Sequence, residues 1–192
     1  MFIDVVVISL IIAIIRGVDI KAAAQYEIRG SYLFALGLLI ETVSVLYAKE
    51  IGHLRYWLYL SSFAFLMVAV YMNRDNRVFW PVGIGVFLNM VVIALNGGRM
   101  PVLLKAARKA GFTELADSLA RGGLISHVMI TPGTPLWILG DIIYIPKPYP
   151  RPDVLSIGDI FICIGLFFLI QDILVKKAGE GSGCSGKKVQ DN

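Results

Sequence analysis

The feature that most constrains this chain is the length and number of its apolar runs. They lie at Phe2 to Ile15, Ser31 to Ala48, Leu54 to Met72, about Val78 to Leu95, and Ser156 to about Val175, with a further broken apolar stretch over 124–145. A helix rises about 1.5 Å per residue, so a hydrocarbon layer of about 30 Å needs roughly 20 residues. Most of the runs approach that length, and the first falls short of it. With 57% hydrophobic and 17% charged residues, the chain is more apolar than soluble domains, which hold about 45–50% and about 25%. The expected fold is therefore all-α. It is a polytopic transmembrane helix bundle of 5–6 membrane segments over residues 1–175, followed by a disordered polar tail over 176–192.

Charge and cysteine usage narrow the class. The net charge is +4, in keeping with Lys and Arg that flank membrane segments. No basic stripe interleaved with aromatics is present, so no nucleic-acid partner is expected. Cys163 lies in an apolar run and Cys184 in the polar tail, a pairing unsuited to a disulfide, and no Cys/His spacing suggests zinc. Asp4, with no Lys or Arg before it, precedes the first apolar run. That pattern reads as a retained helix rather than a cleaved signal.

The breaks between runs carry the local information. Residues 18–30 hold Asp19, Lys21, Glu27 and Arg29 around an Ala-rich patch and read as a short surface helix. Tyr56, Trp57, Tyr59 and Tyr71 are placed as interfacial anchors of the third run. Asn96-Gly97-Gly98 stops the fourth run, and Pro101 is suited to open the next helix. An amphipathic hairpin over about 99–123 is expected on the membrane surface, with Lys105, Arg108 and Lys109 on one face, suited to anionic lipids. Thr131-Pro132-Gly133-Thr134-Pro135 cannot continue a regular helix. Two half-helices, broken or re-entrant, are expected there, the second capped by Thr134. Irregular backbone at membrane depth survives only against protein or a wet cavity.

Three stretches, Asn96 to Val102, His127 to Pro146 and Ser156 to Gly165, taken in order and spacing, resemble a family of small bacterial membrane proteins catalogued as a domain of unknown function. That family is common in Clostridia and related Gram-positive lineages. The resemblance implies a multi-pass protein of the bacterial plasma membrane, and it brings no functional residues with it.

Polar groups within the apolar runs are the candidate functional residues, because burying them in lipid is costly. Glu41 and Asp141 are candidate proton or ion carriers, and Glu41 reads equally well as a carboxylate bonded to a neighbouring helix. Asp141 and Asp159 recur in matching Gly-Asp-Ile settings, but Ser156 and Asp159 also form a capping-box start. Arg99, behind two glycines, suits a phosphate or carboxylate, or else snorkels at a helix stop. The candidate ligand-binding set is Asn96, Gly97, Gly98, Arg99, His127, Thr131, Thr134, Asp141 and Asp159. Arg99 and Asp141 are expected on opposite walls of one pocket, with His127 between them. Asn89 is expected to bond between helices.

No linear enzyme motif occurs, and no cofactor or metal is expected. The favoured function is a binding or transport module for a small anion or an anionic lipid, assisted by a second copy or a partner membrane subunit. The alternatives are an accessory subunit without chemistry and an enzyme acting on a lipid-linked phosphate. Six crossings place eleven Lys and Arg inside against seven outside, and five crossings give nine against nine. The positive-inside rule favours six, with a cytoplasmic C-terminal tail.

Overall fold

The structure, a computed structural model, describes residues 1–16, 26–122 and 124–180, without the side chains of 48, 49 and 175–180. The surface helix expected over 18–30 falls largely on residues outside this set, as does the tail from 181 onward. The runs fold as α1 (Phe2–Ile15), α2 (Ser31–Leu46), α3 (Ala48–Ile51), α4 (Leu54–Met72), α5 (Phe79–Leu95) and, after an intervening segment, α8 (Ile157–Glu180). The chain is mostly helical, as expected. Among the described residues, α4 and the Ile157–Leu174 part of α8 are long and apolar enough to cross a membrane; α1, α2 and α5 are shorter apolar helices.

Side-chain contacts fix how these helices run. The Met1 amino group lies 3.1 Å from Asp153, and Arg16 at the other end of α1 donates to Gln171 at 3.2 Å, so α1 runs parallel to α8. A Cβ added to Gly30 or Gly37 of the α2 region would meet Met72 or Leu66 of α4, and one on Gly83 of α5 would meet Val70 of α4. These pairs run antiparallel. The order across the bundle is α2, α4, α5, α8, α1. Small residues let the tightest pair approach. A Cβ on Gly85 would fall on the Gly158 carbonyl and Ile162, and one on Gly165 would lie 2.7 Å from the Val82 nitrogen. Without a Cβ at these positions the two backbones come into direct contact.

Residues 96–156 depart most from expectation. They form a cap at one end of the bundle that includes α6 (Leu104–Lys109) and α7 (Thr113–Ala120), the expected hairpin. Val102, Ala107, Ala116 and Leu119 make its small core. The expected pair of half-helices over 124–145 does not form. β2 (His127–Met129) pairs in parallel with β1 (Met100–Val102), and β3 (Ile143–Ile145) pairs antiparallel with β4 (Asp153–Leu155). Only a 3₁₀ turn, Trp137–Leu139, remains of the second half-helix. The Thr131–Thr134 turn closes on itself: the Thr131 N–H donates to Thr134 Oγ1 at 2.8 Å. Thr134 is thus spent within the turn and caps no helix. Pro101 also opens no helix. It sits inside β1, where its one remaining backbone group, the carbonyl, accepts the Asp141 N–H at 2.8 Å. A proline is tolerated where the strand needs no donor.

The segment expected as a sixth crossing therefore contains no membrane-length helix, and among the described residues the apolar helices number five. α8 leaves the cap toward the opposite end of the bundle from Met1.

Candidate functional site

The turn that ends α5 builds the first half of the site. Gly97 and Gly98 both adopt left-handed backbone, at φ 65° and 75°. The Gly98 N–H donates to the Ile93 carbonyl at 2.9 Å, the closure expected of a glycine-terminated helix. A Cβ on Gly98 would lie 2.8 Å from Tyr56 of α4, so glycine is needed for packing as well as for backbone freedom. The turn presents the Gly98 carbonyl to Arg55, one residue inside α4. Arg55 is only 5% exposed. Its guanidinium donates to the Gly98 carbonyl at 2.7 and 3.2 Å and to the Ile125 carbonyl at 3.0 Å, and it lies 5.5 Å from the Tyr59 ring centroid. Among the described residues it meets no carboxylate, and its Nε has no partner.

Arg55 lines a cleft of about 410 Å³ with His53, Tyr56, Gly97, Arg99, Leu124 and Ile125. Arg99 is exposed on its wall. His127, half-buried, follows Ser126, whose Oγ lies 2.8 Å from its Nδ1. Burial and the nearby Arg55 charge push the His127 pKa down, so the imidazole is neutral at neutral pH. Asn96 ties the same turn outward, donating to Val92 at 2.7 Å and to Pro135 at 3.0 Å.

Asp141 does not face Arg99. β1 lies between them. β2 with His127 pairs along one edge of β1, and Asp141 bridges Val102 along the other. The Leu103 N–H donates to the Asp141 carbonyl at 3.0 Å. Gly140 makes this approach possible, since a Cβ there would fall on the Pro101 carbonyl. The Asp141 side chain is 9% exposed, and among the described residues its carboxyl takes no hydrogen bond. Burial, then the negative charges of Asp159 and Asp153, push its pKa up to about 8.

That shift has a testable consequence. Between pH 4 and pH 8 the folded protein holds a proton on Asp141 that the unfolded chain has lost. Stability therefore falls as pH rises through that window and levels off above it. One pKa unit corresponds to about 1.4 kcal/mol, so the loss at pH 9 is on the order of a few kcal/mol. Asp141→Asn is predicted to raise the melting temperature at pH 9 and to raise it much less at pH 5, followed by tryptophan fluorescence. A lower melting temperature at pH 9 would show that the ionised carboxylate is instead stabilised.

The other candidates are placed as follows. Asp159 is a helix cap: its Oδ2 accepts the Ser156 N–H at 3.0 Å, and its N–H donates to Ser156 Oγ at 2.9 Å. Asn89 closes the network, donating to Asp159 at 2.9 Å and accepting from Ser156 at 2.9 Å. Glu41 is half-buried on α2, 3.5 Å from the Tyr59 hydroxyl, beside a groove with Leu38, Thr42, Val45 and Leu46. Thr131 and Thr134 are exposed or half-buried in their own turn. In the hairpin, Arg108 pairs with Asp117 at 3.2 Å, and Lys109 reaches the Tyr144 hydroxyl at 3.2 Å. Lys105 is exposed.

The structure thus gathers Gly97, Gly98 and Arg99 around Arg55 and His53, with His127 on the adjoining strand. It holds Asp141 on the far edge of β1 and Asp159 in a satisfied cap. Sequence reading missed Arg55 and His53, because a basic residue at the start of an apolar run reads as a flanking charge.

No solved structure matches the chain. A Thermotoga maritima protein described as uncharacterized is 33% identical over 168 residues, covering 87% of this chain and 88% of the relative. The family model that matches residues 25–171 is described as "Family of unknown function (DUF5317)", and the chain belongs to that family.

Proposed function

We propose that the protein is a multi-pass membrane protein of five crossings that binds a small anion or the anionic head group of a lipid in the Arg55–Arg99 cleft, as a binding or transport module. The observation that carries this reading is Arg55. A guanidinium buried with carbonyl partners alone keeps its full positive charge, and a second cation, Arg99, stands on the same cleft. A buried charge is costly unless paired. An anion entering the cleft supplies the missing countercharge, and planar guanidinium groups suit phosphate and carboxylate oxygens.

The helix surfaces support a lipid environment. Ile8, Ile11, Leu38, Leu39, Val68, Phe87 and Phe168 are exposed on their outer faces, more apolar surface than a water-soluble monomer presents. Exposed aromatics mark both ends of the bundle: Tyr47, Trp57 and Trp137 near the cap, Tyr32, Tyr71 and Trp80 at the other end. This is the arrangement expected of residues at a membrane–water interface. The cap then lies at one surface, with the cleft at head-group depth. Five crossings divide the Lys and Arg residues nine and nine, so charge selects neither orientation.

Purified protein in neutral detergent is predicted to retain phosphatidylglycerol over phosphatidylcholine by native mass spectrometry, or to bind sulfate by calorimetry. The first result identifies a lipid head group as the ligand, and the second a free anion. Arg99→Ala removes one charge-assisted contact, worth about 1.5–3 kcal/mol, so affinity is predicted to fall roughly 10- to 100-fold. Equal retention of both lipids together with no sulfate binding contradicts the reading.

A further inference from the structure

We infer that the ligand of the cleft is a whole anionic phospholipid drawn from the surrounding leaflet, with its phosphate at Arg55 and Arg99 and one acyl chain laid along the outer face of α4. This inference rests on the anion-binding reading above and names the class of ligand that the site takes.

The lining of the cleft is of two kinds. His53, Arg55 and Arg99 are basic, whereas Tyr56, Leu124 and Ile125 are aromatic or aliphatic. The buried Arg55 guanidinium keeps its Nε without a partner among the described residues. Gly52 and Gly97 border open space, since a Cβ on either would meet no atom within 4 Å. An inorganic anion would use the basic groups alone and fill a small part of the roughly 410 Å³. A phospholipid head carries its charge on a larger body. Its phosphate suits the guanidinium groups, and its glycerol and first methylenes suit Tyr56, Leu124 and Ile125. Sites for organic ligands are lined in this way, with a few placed polar groups among apolar side chains.

The second observation is the surface of α4 next to the cleft. The Tyr56 ring meets the Trp57 ring edge-on at 5.1 Å, and Trp57 is 67% exposed. Leu54, Trp57, Ser61, Ala64 and Val68 follow one another at spacings of three and four residues, so they share one face of the helix. Leu54, Trp57, Ala64 and Val68 are exposed, and Ser61 is half-buried. The two small side chains, Ser61 and Ala64, leave room beside the indole. The Ser61 hydroxyl donates to the Leu58 carbonyl at 2.7 Å, so it presents no unsatisfied donor to a hydrocarbon chain. From Leu54 to Ala64 the helix rises about 15 Å, half of a hydrocarbon layer of about 30 Å. A lipid with its phosphate in the cleft therefore has one leaflet's length of this face for its chain.

The chain gains little by exchanging lipid neighbours for protein, because both are apolar. Its part is to hold the phosphate at the depth of the cleft, which raises the local concentration that the guanidinium groups meet. Discrimination among lipids then falls to the head group. Each arginine near the membrane surface favours an anionic lipid roughly fivefold.

The test uses the full-length protein in phosphatidylcholine nanodiscs that carry a minor share of a probe lipid, either phosphatidylglycerol or phosphatidylcholine with brominated acyl chains. Bromine quenches an indole only at close range. Trp80→Phe together with Trp137→Phe leaves Trp57 as the reporter. Brominated phosphatidylglycerol is expected to quench Trp57 with an apparent association constant roughly five- to tenfold above that of brominated phosphatidylcholine. Plain phosphatidylglycerol is expected to restore the emission in competition, and this readout needs no change in the cleft. Arg99→Ala is expected to reduce the preference roughly fivefold. Equal quenching by the two probes, with sulfate still bound in calorimetry, overturns the lipid assignment and leaves the anion reading standing. A preference that is undiminished in Arg99→Ala also overturns the assignment. Equal quenching with no sulfate binding overturns the anion reading and this inference together.

Discussion

Replacing Arg55 with methionine is expected to detach the cap from the helix bundle while leaving the bundle assembled. Methionine keeps most of the side-chain volume but removes every donor. The Gly98 carbonyl, now served by the guanidinium, would stay buried without a partner, and the part-buried Ile125 carbonyl would lose its donor. Hydrogen bonds to a charged group are worth about 1.5–3 kcal/mol each, so the expected loss is roughly 3–5 kcal/mol. It should appear as a lower melting temperature and as faster proteolysis within residues 96–156, with α4 and α5 still protected. Arg55→Lys is expected to recover part of the loss, since a single ammonium reaches one carbonyl but cannot span both. A methionine variant as stable as wild type would mean that Arg55 is not what holds the cap.

A second large effect is expected at the crossing of α5 and α8. Gly158→Leu places side-chain atoms where Asn89 now sits; even a Cβ there would fall on Asn89 Oδ1. The substitution both overpacks the contact and displaces the residue that completes the Ser156–Asp159 cap. Overpacking costs about 1–3 kcal/mol, and each displaced hydrogen bond about 1 kcal/mol. A total of roughly 3–5 kcal/mol is expected to prevent stable accumulation in the membrane fraction. Gly97→Ala is the matched control. Gly97 has open space around it and a left-handed φ of 65°, so only the backbone penalty of about 1–2 kcal/mol applies. Equal accumulation of the two variants would contradict the close helix contact.

The helices were legible in the sequence because each is a long apolar run with clear stops, such as Asn96-Gly97-Gly98. The capping box at Ser156 and Asp159 and the interhelical bond of Asn89 were also legible, since each is decided by residues of fixed type at short spacing. The segment over 124–145 was not. Its apolar residues suit two half-helices, broken or re-entrant, whereas they form two short strands and a 3₁₀ turn, with Leu136, Trp137 and Ile138 left exposed. Periodicity cannot separate a three-residue strand from a fragment of helix. Pro101 was misplaced for a related reason: a proline suits the start of a helix and equally a strand position that offers only a carbonyl. The two Gly-Asp-Ile settings shared a cause that sequence did not reveal. Each glycine allows a close backbone approach, Gly140 to Pro101 and Gly158 to Gly85, and the aspartates then differ in role. Arg55 became visible as part of a site only when the glycine turn and Ile125, distant in sequence, were brought to it.

The most direct test of the anion-binding account is an experimental density map of the protein in nanodiscs containing phosphatidylglycerol. The account predicts head-group or anion density in the cleft between Arg55 and Arg99, within hydrogen-bonding distance of both guanidinium groups. A carboxylate of the chain itself seated against the Arg55 Nε, with the cleft closed, would contradict it.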